Sequence, residues 1–315
     1  MEVPLIDDQM ILGEYKIISE LNTISKNSIY RVTKEADESG EIKIMKALPY
    51  GTEEEVENFK QEIRILELFQ NNPLFVRYED QFEHIIDVES EENDGKKYKY
   101  KKNYMLVIMK DYGQNLEALA DRYRTGVEEK VVVEFLNQAL NALKVLENES
   151  VVHHDIKLSN FLIASDDPWK FVLIDFEFAK KLSDGEKITS RDGTPIFSAP
   201  EVLKEEPHDN SADIWGIGVS AFRLATGVYP FKITHRDNND NILEKIENNN
   251  AIFLSSRFKN KSLELKELLL KMLNKNQKER ITVEKALQSP LFVNCCLNDN
   301  DDDDLIVEVR SALAN

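Results

Sequence analysis

Val151-Val-His153-His154-Asp155-Ile-Lys157-Leu-Ser-Asn160-Phe-Leu-Ile163 is followed shortly by Phe171-Val-Leu-Ile-Asp175-Phe-Glu177. An apolar pair leads into a polar loop carrying Asp155, Lys157 and Asn160, and an apolar strand then delivers Asp175. Short apolar runs bounded by polar turns read as strands. The arrangement can gather two carboxylates, one amide and one ammonium around a single point. Phosphoryl transfer needs that inventory: a carboxylate to orient a hydroxyl, a lysine near the moving phosphate, and oxygen ligands for Mg²⁺. Taken singly, each residue also suits two ordinary strands joined by polar turns. Taken with their spacing, they do not.

Upstream, residues 15–21, 28–32 and 41–46 are short, β-branched or aromatic, and separated by polar turns, so they read as strands. From 52 to 69 the period becomes helical. Thr52 and Glu55 stand at capping-box spacing, and Val56, Phe59, Ile63 and Leu66 form one apolar stripe. Two further strands are expected near 75–82 and 104–109. Between them, residues 87–102 have an acidic first half and a basic second half. That stretch reads as a solvated, self-complementary loop, with a binding role as the alternative. From about Leu116 the pattern is mostly helical, with candidates at 127–147, 211–226, 241–248, 263–274 and 283–288. Gly113 falls where a hinge between two halves is expected. Near the end, Asp299 to Asp304 is interrupted only by Asn300. It reads as a disordered or solvated run, with an interaction tail as the alternative.

Composition narrows the class. The chain has 315 residues, 42% hydrophobic and 31% charged, enough to build one large or two smaller packed domains. Lys plus Arg is 40 against 58 Asp plus Glu, a formal net charge of −18. Such an acidic chain is poorly suited to a phosphate backbone, which argues against a nucleic-acid module. Cys295 and Cys296 are adjacent, so no disulfide framework is expected and a reducing compartment is. No apolar run approaches the roughly 18 residues of a membrane span, and the first residues lack the basic start of a signal peptide. The expectation is an intracellular protein of cytoplasm or nucleus.

At its central motif the sequence resembles the eukaryotic protein kinase superfamily, over roughly residues 15 to 292. His153-His154-Asp155-Ile-Lys157-Leu-Ser-Asn160 corresponds to that family's H-R-D-x-K-x-x-N loop. The resemblance implies Asp155 as catalytic base, Lys157 as a γ-phosphate contact and Asn160 as a metal ligand. Asp175-Phe176-Glu177 sits where the family has D-F-G, making Asp175 the second metal ligand. Lys46 matches the third-strand lysine that holds the α- and β-phosphates, and Glu62 its helix partner. Helical period places Glu62 beside the buried stripe. Gly193-Thr194 through Ala199-Pro200-Glu201 resembles the end of the activation segment. Asp213 resembles the aspartate that supports the catalytic loop, and Arg280 the late arginine that pairs with Glu201. Lys157 and Gly193-Thr194 are what serine/threonine-directed members carry.

The sequence also departs from the family. Leu21-Asn22-Thr-Ile24-Ser-Lys-Asn27-Ser-Ile29 aligns with the glycine-rich phosphate loop but lacks all three glycines. Asn22 and Asn27 are the best non-glycine residues for positive φ, while Ile24 disfavours it. A stiffer or displaced loop and weaker nucleotide affinity are expected. Ile44 replaces the usual alanine against the adenine ring, narrowing the pocket. Glu177 replaces a glycine and is read as solvent-facing, with an extra metal ligand as the alternative. His154 replaces an arginine that reads a phosphate on the activation segment. A protonated histidine is a weaker fork for that task.

The resemblance implies an α+β, bilobal protein kinase fold spanning 10–293. A small mainly-β lobe with one helix covers about 10–112, a larger helical lobe about 113–293, and an acidic tail 294–315. ATP with Mg²⁺ is expected in the cleft, its adenine between Ile29, Ile44 and Leu162, with Leu21 also binding the nucleotide and Met109 guarding the back of the pocket. Phe176, His153, Leu66 and Tyr78 are expected to stack as a spine. The expected activity is transfer of the γ-phosphoryl group to Ser or Thr of protein substrates. The alternative is a pseudokinase, the same fold used for binding or scaffolding.

Overall fold

A computed structural model describes residues 11–21, 28–37, 39–91, 97–164, 167, 169–253 and 256–295. The segment 22–27, whose missing glycines drew the expectation of weak phosphate binding, lies outside the described residues, as does the acidic tail from 296 on; residues 294 and 295 belong instead to a short helix. The chain divides into two compact units between Asp111 and Tyr112.

Among the described residues, the first unit is one antiparallel sheet and one helix. Its strands are β1 (Ile11–Leu12), β2 (Tyr15–Leu21), β3 (Ser28–Lys34) and β4 (Ile42–Tyr50), then β5 (Tyr78–Glu91) and β6 (Lys97–Lys110) after helix α1 (Glu53–Phe69). They lie in the order β1-β2-β3-β4-β6-β5. Successive side chains of a strand alternate between faces, and here the alternation sorts two populations. Tyr15, Ile17, Tyr30, Val32, Met45, Ala47, Tyr104, Leu106 and Ile108 close into an apolar core on one face. On the other, Leu21 stands opposite Ile29, Ile29 opposite Lys46, and Ile44 opposite Met109.

Helix α1 begins where its cap predicts. The Glu55 peptide N–H donates to Thr52 Oγ1 at 3.2 Å, and the Thr52 N–H donates to Glu55 Oε2 at 3.0 Å. Its buried residues are Glu62, Ile63, Ile65, Leu66 and Phe69.

Residues 87–102 correct the loop expected there. β5 and β6 pair along 87–91 and 97–102, with Asp87 opposite Lys101, Glu89 opposite Lys99 and Glu91 opposite Lys97. The facing pairs lie 14, 10 and 6 residues apart in sequence, all centred on one point of the chain, so the acidic half meets the basic half in strand register. β4 pairs with β6 only from Asn103 onward, so this ribbon outruns the rest of the sheet.

The second unit is mainly helical. Its larger helices are α2 (Leu116–Arg122), α3 (Glu129–Asn148), α5 (Ser211–Thr226), α6 (Asn239–Asn248) and α7 (Leu263–Met272). Shorter ones are α4 (Pro200–Leu203), α8 (Val283–Leu287) and α9 (Pro290–Cys295). Two small hairpins complete it: β7 (Val151–Val152) with β10 (Lys180–Lys181), and β8 (Phe161–Ile163) with β9 (Phe171–Leu173). Helix α5 is apolar nearly all round, and only Ser211 and Arg223 of it escape burial, as expected of a helix at the centre of a core. Trp215 lies at its heart, parallel to Phe231 at 5.5 Å between centroids and beneath the Arg280 guanidinium at 5.1 Å. Arg280 forks onto Glu201 at 2.5 and 3.0 Å and also donates to the carbonyls of Ser211 and Asn274. A buried pair this fully bonded meets the condition under which desolvation is offset.

Candidate active site

In the first unit, Lys46 Nζ lies 3.0 Å from Glu62 Oε1, and both residues are buried, each 6% exposed. β4 presents Lys46 on the sheet face away from the apolar core, and the helical period of α1 brings Glu62 to meet it. Leu21, Ile29, Ile44 and Met109 share that face and are all half-buried. Leu162, the third residue expected around an adenine, is half-buried on β8 of the second unit.

In the second unit the loop between β7 and β8 is organised by Asp213, in the first turn of α5. Its Oδ2 accepts the His153 peptide N–H at 2.8 Å and its Oδ1 that of His154 at 2.9 Å. Burial pushes the Asp213 carboxyl up to about 7, against the pull of these two donors. The next turn of α5 must come close. A Cβ on Gly216 would stand 2.8 Å from the Ile156 carbonyl oxygen, so only glycine fits. His153 is fully buried and neutral, its pKa lowered by desolvation. The Ile174 carbonyl lies 3.1 Å from its Nε2, so that nitrogen carries the proton, and Nδ1 accepts the Asp155 N–H at 3.3 Å. Its ring packs on Phe176 at 5.0 Å. These are two of the four residues expected in the spine, and they touch; Leu66 and Tyr78 lie in the first unit.

Asp155, 3% exposed, is held at both oxygens. Oδ1 accepts the Thr194 N–H at 2.8 Å, and Oδ2 lies 2.6 Å from Lys157 Nζ. Lys157 also donates to Thr194 Oγ1 at 2.8 Å. The approach of segment 193–194 depends on Gly193, which has φ +96° and whose Cβ would fall 2.5 Å from the His154 carbonyl. Asn160 Nδ2 donates to the Asp155 carbonyl at 2.9 Å and lies 3.3 Å from Asp155 Oδ2. Its amide nitrogen is therefore turned to Asp155, and Oδ1 is the atom left to face a cation. The Ile174 N–H donates to the Asn160 carbonyl at 2.9 Å, bringing Asp175 beside it at the end of the β8–β9 hairpin. Asp175 has φ +65°, an uncommon conformation for a non-glycine residue. An amide oxygen and a carboxylate are hard donors of the kind Mg²⁺ takes, so the two residues fit that ion. Glu177 is exposed.

The structure thus joins Lys46 to Glu62 within one unit, and Asp155, Lys157, Asn160 and Asp175 within the other. Two contacts were not read from the sequence. In sequence the Thr194 hydroxyl marks only a substrate class, and His208 carries no local signal. His154 is not the free reader of a phosphate considered above. Its Nε2 is engaged by His208 Nε2 at 2.7 Å, and burial lowers its pKa to about 4.

A mainly-β unit with a buried lysine–glutamate pair, and a helical unit holding an aspartate, lysine and asparagine on one loop, define the protein kinase class. The protein kinase domain model matches residues 23–292, and the chain belongs to that family. Among curated proteins, it is 28% identical over 272 residues to calcium-dependent protein kinase 5 of Plasmodium berghei, covering 86% of this chain and 44% of that protein. It is 30% identical over 200 residues to the serine/threonine-protein kinase ATG1 of Debaryomyces hansenii (57% and 22%). To the calcium/calmodulin-dependent protein kinase cmkA of Emericella nidulans it is 31% identical over 188 residues (59% and 44%). The chain spans less than half the length of each of these relatives.

Proposed function

We propose that this chain transfers the γ-phosphoryl group of ATP to Ser or Thr hydroxyls of protein substrates. The observation that carries the reading is the fixation of Asp155: one carboxylate oxygen on the Thr194 peptide, the other on Lys157. A general base must be aimed before it is basic, and here both oxygens are placed. In the reaction the acceptor oxygen forms the new bond to the γ-phosphorus and the bond to the β–γ bridging oxygen breaks. ADP departs, and the hydroxyl proton passes to Asp155. Lys157, already beside Asp155 Oδ2, supplies positive charge next to the moving group. Lys46, held extended by Glu62, holds the α- and β-phosphates. Asn160 and Asp175 would hold Mg²⁺, which when bound offsets phosphate charge.

The test is thermal shift followed by transfer. A ligand that binds only the folded state raises stability by about RT ln(1 + [L]/Kd), so millimolar ATP moves the midpoint even at a Kd of tens of micromolar. A Mg²⁺-dependent shift is expected, lost in Lys46→Met. In Asp155→Asn the shift is expected to persist while labelled phosphate no longer reaches an acceptor protein. No shift at several millimolar ATP would replace this reading with that of a binding or scaffolding module.

A further inference from the structure

The planes of the His154 and His208 rings are parallel to within 4°, with centroids 5.0 Å and Nε2 atoms 2.7 Å apart. The nitrogen separation plus one ring radius at each end accounts for the centroid distance. The rings therefore meet edge to edge in their common plane, joined by a hydrogen bond, rather than face to face. Its direction follows from the neighbours. His208 Nδ1 lies 2.7 Å from the Glu206 carbonyl, which can only accept, so Nδ1 carries the proton and a neutral ring offers its Nε2 lone pair. His154 Nε2–H donates into it. His154 Nδ1 is buried and has no hydrogen-bond partner among the described residues.

The main chain of His208 is engaged as well. Its N–H donates to the Ile188 carbonyl at 2.9 Å, and the Ile188 N–H donates to its carbonyl at 3.0 Å. One residue thus grips the segment leading to Gly193 and Thr194 with its backbone, and the residue before Asp155 with its ring. His154 needs holding, because its φ is +67°. Such a backbone persists only where its surroundings fix it, and relaxing it would turn Asp155 away.

We propose that His208 is a positioning residue for Asp155, acting through an uncharged imidazole–imidazole hydrogen bond that ties the catalytic loop to the segment 180–208. The inference rests on the phosphoryl-transfer reading for its kinetic consequence and on geometry alone for its structural one.

Two substitutions separate the ring's two contacts. In His208→Gln the amide reaches the place of Nε2 and can still accept from His154. In His208→Asn it reaches only the place of Nδ1, keeping Glu206 and losing His154. With histone H1 as acceptor, the Asn variant is expected to lose about tenfold in kcat with KM for ATP within about twofold, while the Gln variant stays near wild type. Amide hydrogen exchange across residues 151–160 is expected to quicken about tenfold in the Asn variant and not in the Gln variant. A purely local role for His208 predicts the reverse ranking, and that ranking overturns the proposal. So does wild-type exchange in the Asn variant. Should the wild-type chain transfer no phosphate, the functional reading fails and the exchange comparison alone decides this one. If His208→Asn does not fold, His154→Leu removes the donor from the other side. It is expected to show the same faster exchange, and wild-type exchange there overturns the proposal equally.

Discussion

Lys46 and Glu62 are charges taken out of water together, so each is costly without the other. Glu62→Gln is expected to lower the unfolding free energy by about 3 kcal/mol, because the buried Lys46 loses the carboxylate charge that lies 3.0 Å away. Joining Lys46→Met to Glu62→Leu should restore most of that loss, and urea titration of the variants checks both. His154 makes a different demand. Its folded-state pKa is about 4 against an ordinary 6.5, set by burial and then by His208 and Lys180, with Asp192 and Asp155 opposing. The unfolded ring takes a proton that the folded one refuses, so stability falls as pH drops from about 6.5 to about 4. By linkage this one ring accounts for about 3 kcal/mol over that window. Unfolding midpoints measured at pH 7 and 4.5 should therefore converge more closely in His154→Gln than in the wild type. A ring that is neutral and already engaged does not wait for an oxyanion. Turnover by a Thr189→Ala, Ser190→Ala double variant is expected to match wild type, and abolished turnover would refute that.

At the level of elements, local signals that need no distant partner were legible. Thr52 and Glu55 announced the start of α1 from their spacing alone, and their reciprocal hydrogen bonds are there. Thr52→Ala should cost about 1 kcal/mol, read by denaturant unfolding. The continuous apolar run of α5 likewise marked 211–226 with the bounds observed. Residues 87–102 misled because their alternation is one of charge, not hydrophobicity, and an acid run followed by a base run looks solvated until folded on itself. Replacing 87–101 with Asn-Gly leaves Ile86 opposite Lys102 across a two-residue turn. The melting temperature of that variant is expected within a few degrees of the original, since the core residues of the sheet lie elsewhere.

Across the molecule, the two side-chain clusters were legible as far as their residues sit in short motifs. Lys46, Glu62, Asp155, Lys157, Asn160 and Asp175 each stand in a recognisable local pattern. His208 does not: its significance arises from His154, distant in sequence, and from a bridge to Ile188 that no periodicity encodes. The long β5–β6 ribbon has a final consequence. Residues 87–102 contain five acidic and five basic residues, so the ribbon is neutral on a chain of net charge −18. Attraction across it is local and repulsion over the remainder is diffuse, and added electrolyte acts on the two in opposite senses. Near 1 M salt the screening length shrinks to about 3 Å. There the ribbon should fray, seen as faster amide exchange in 87–102, while the acidic body, relieved of self-repulsion, grows more stable.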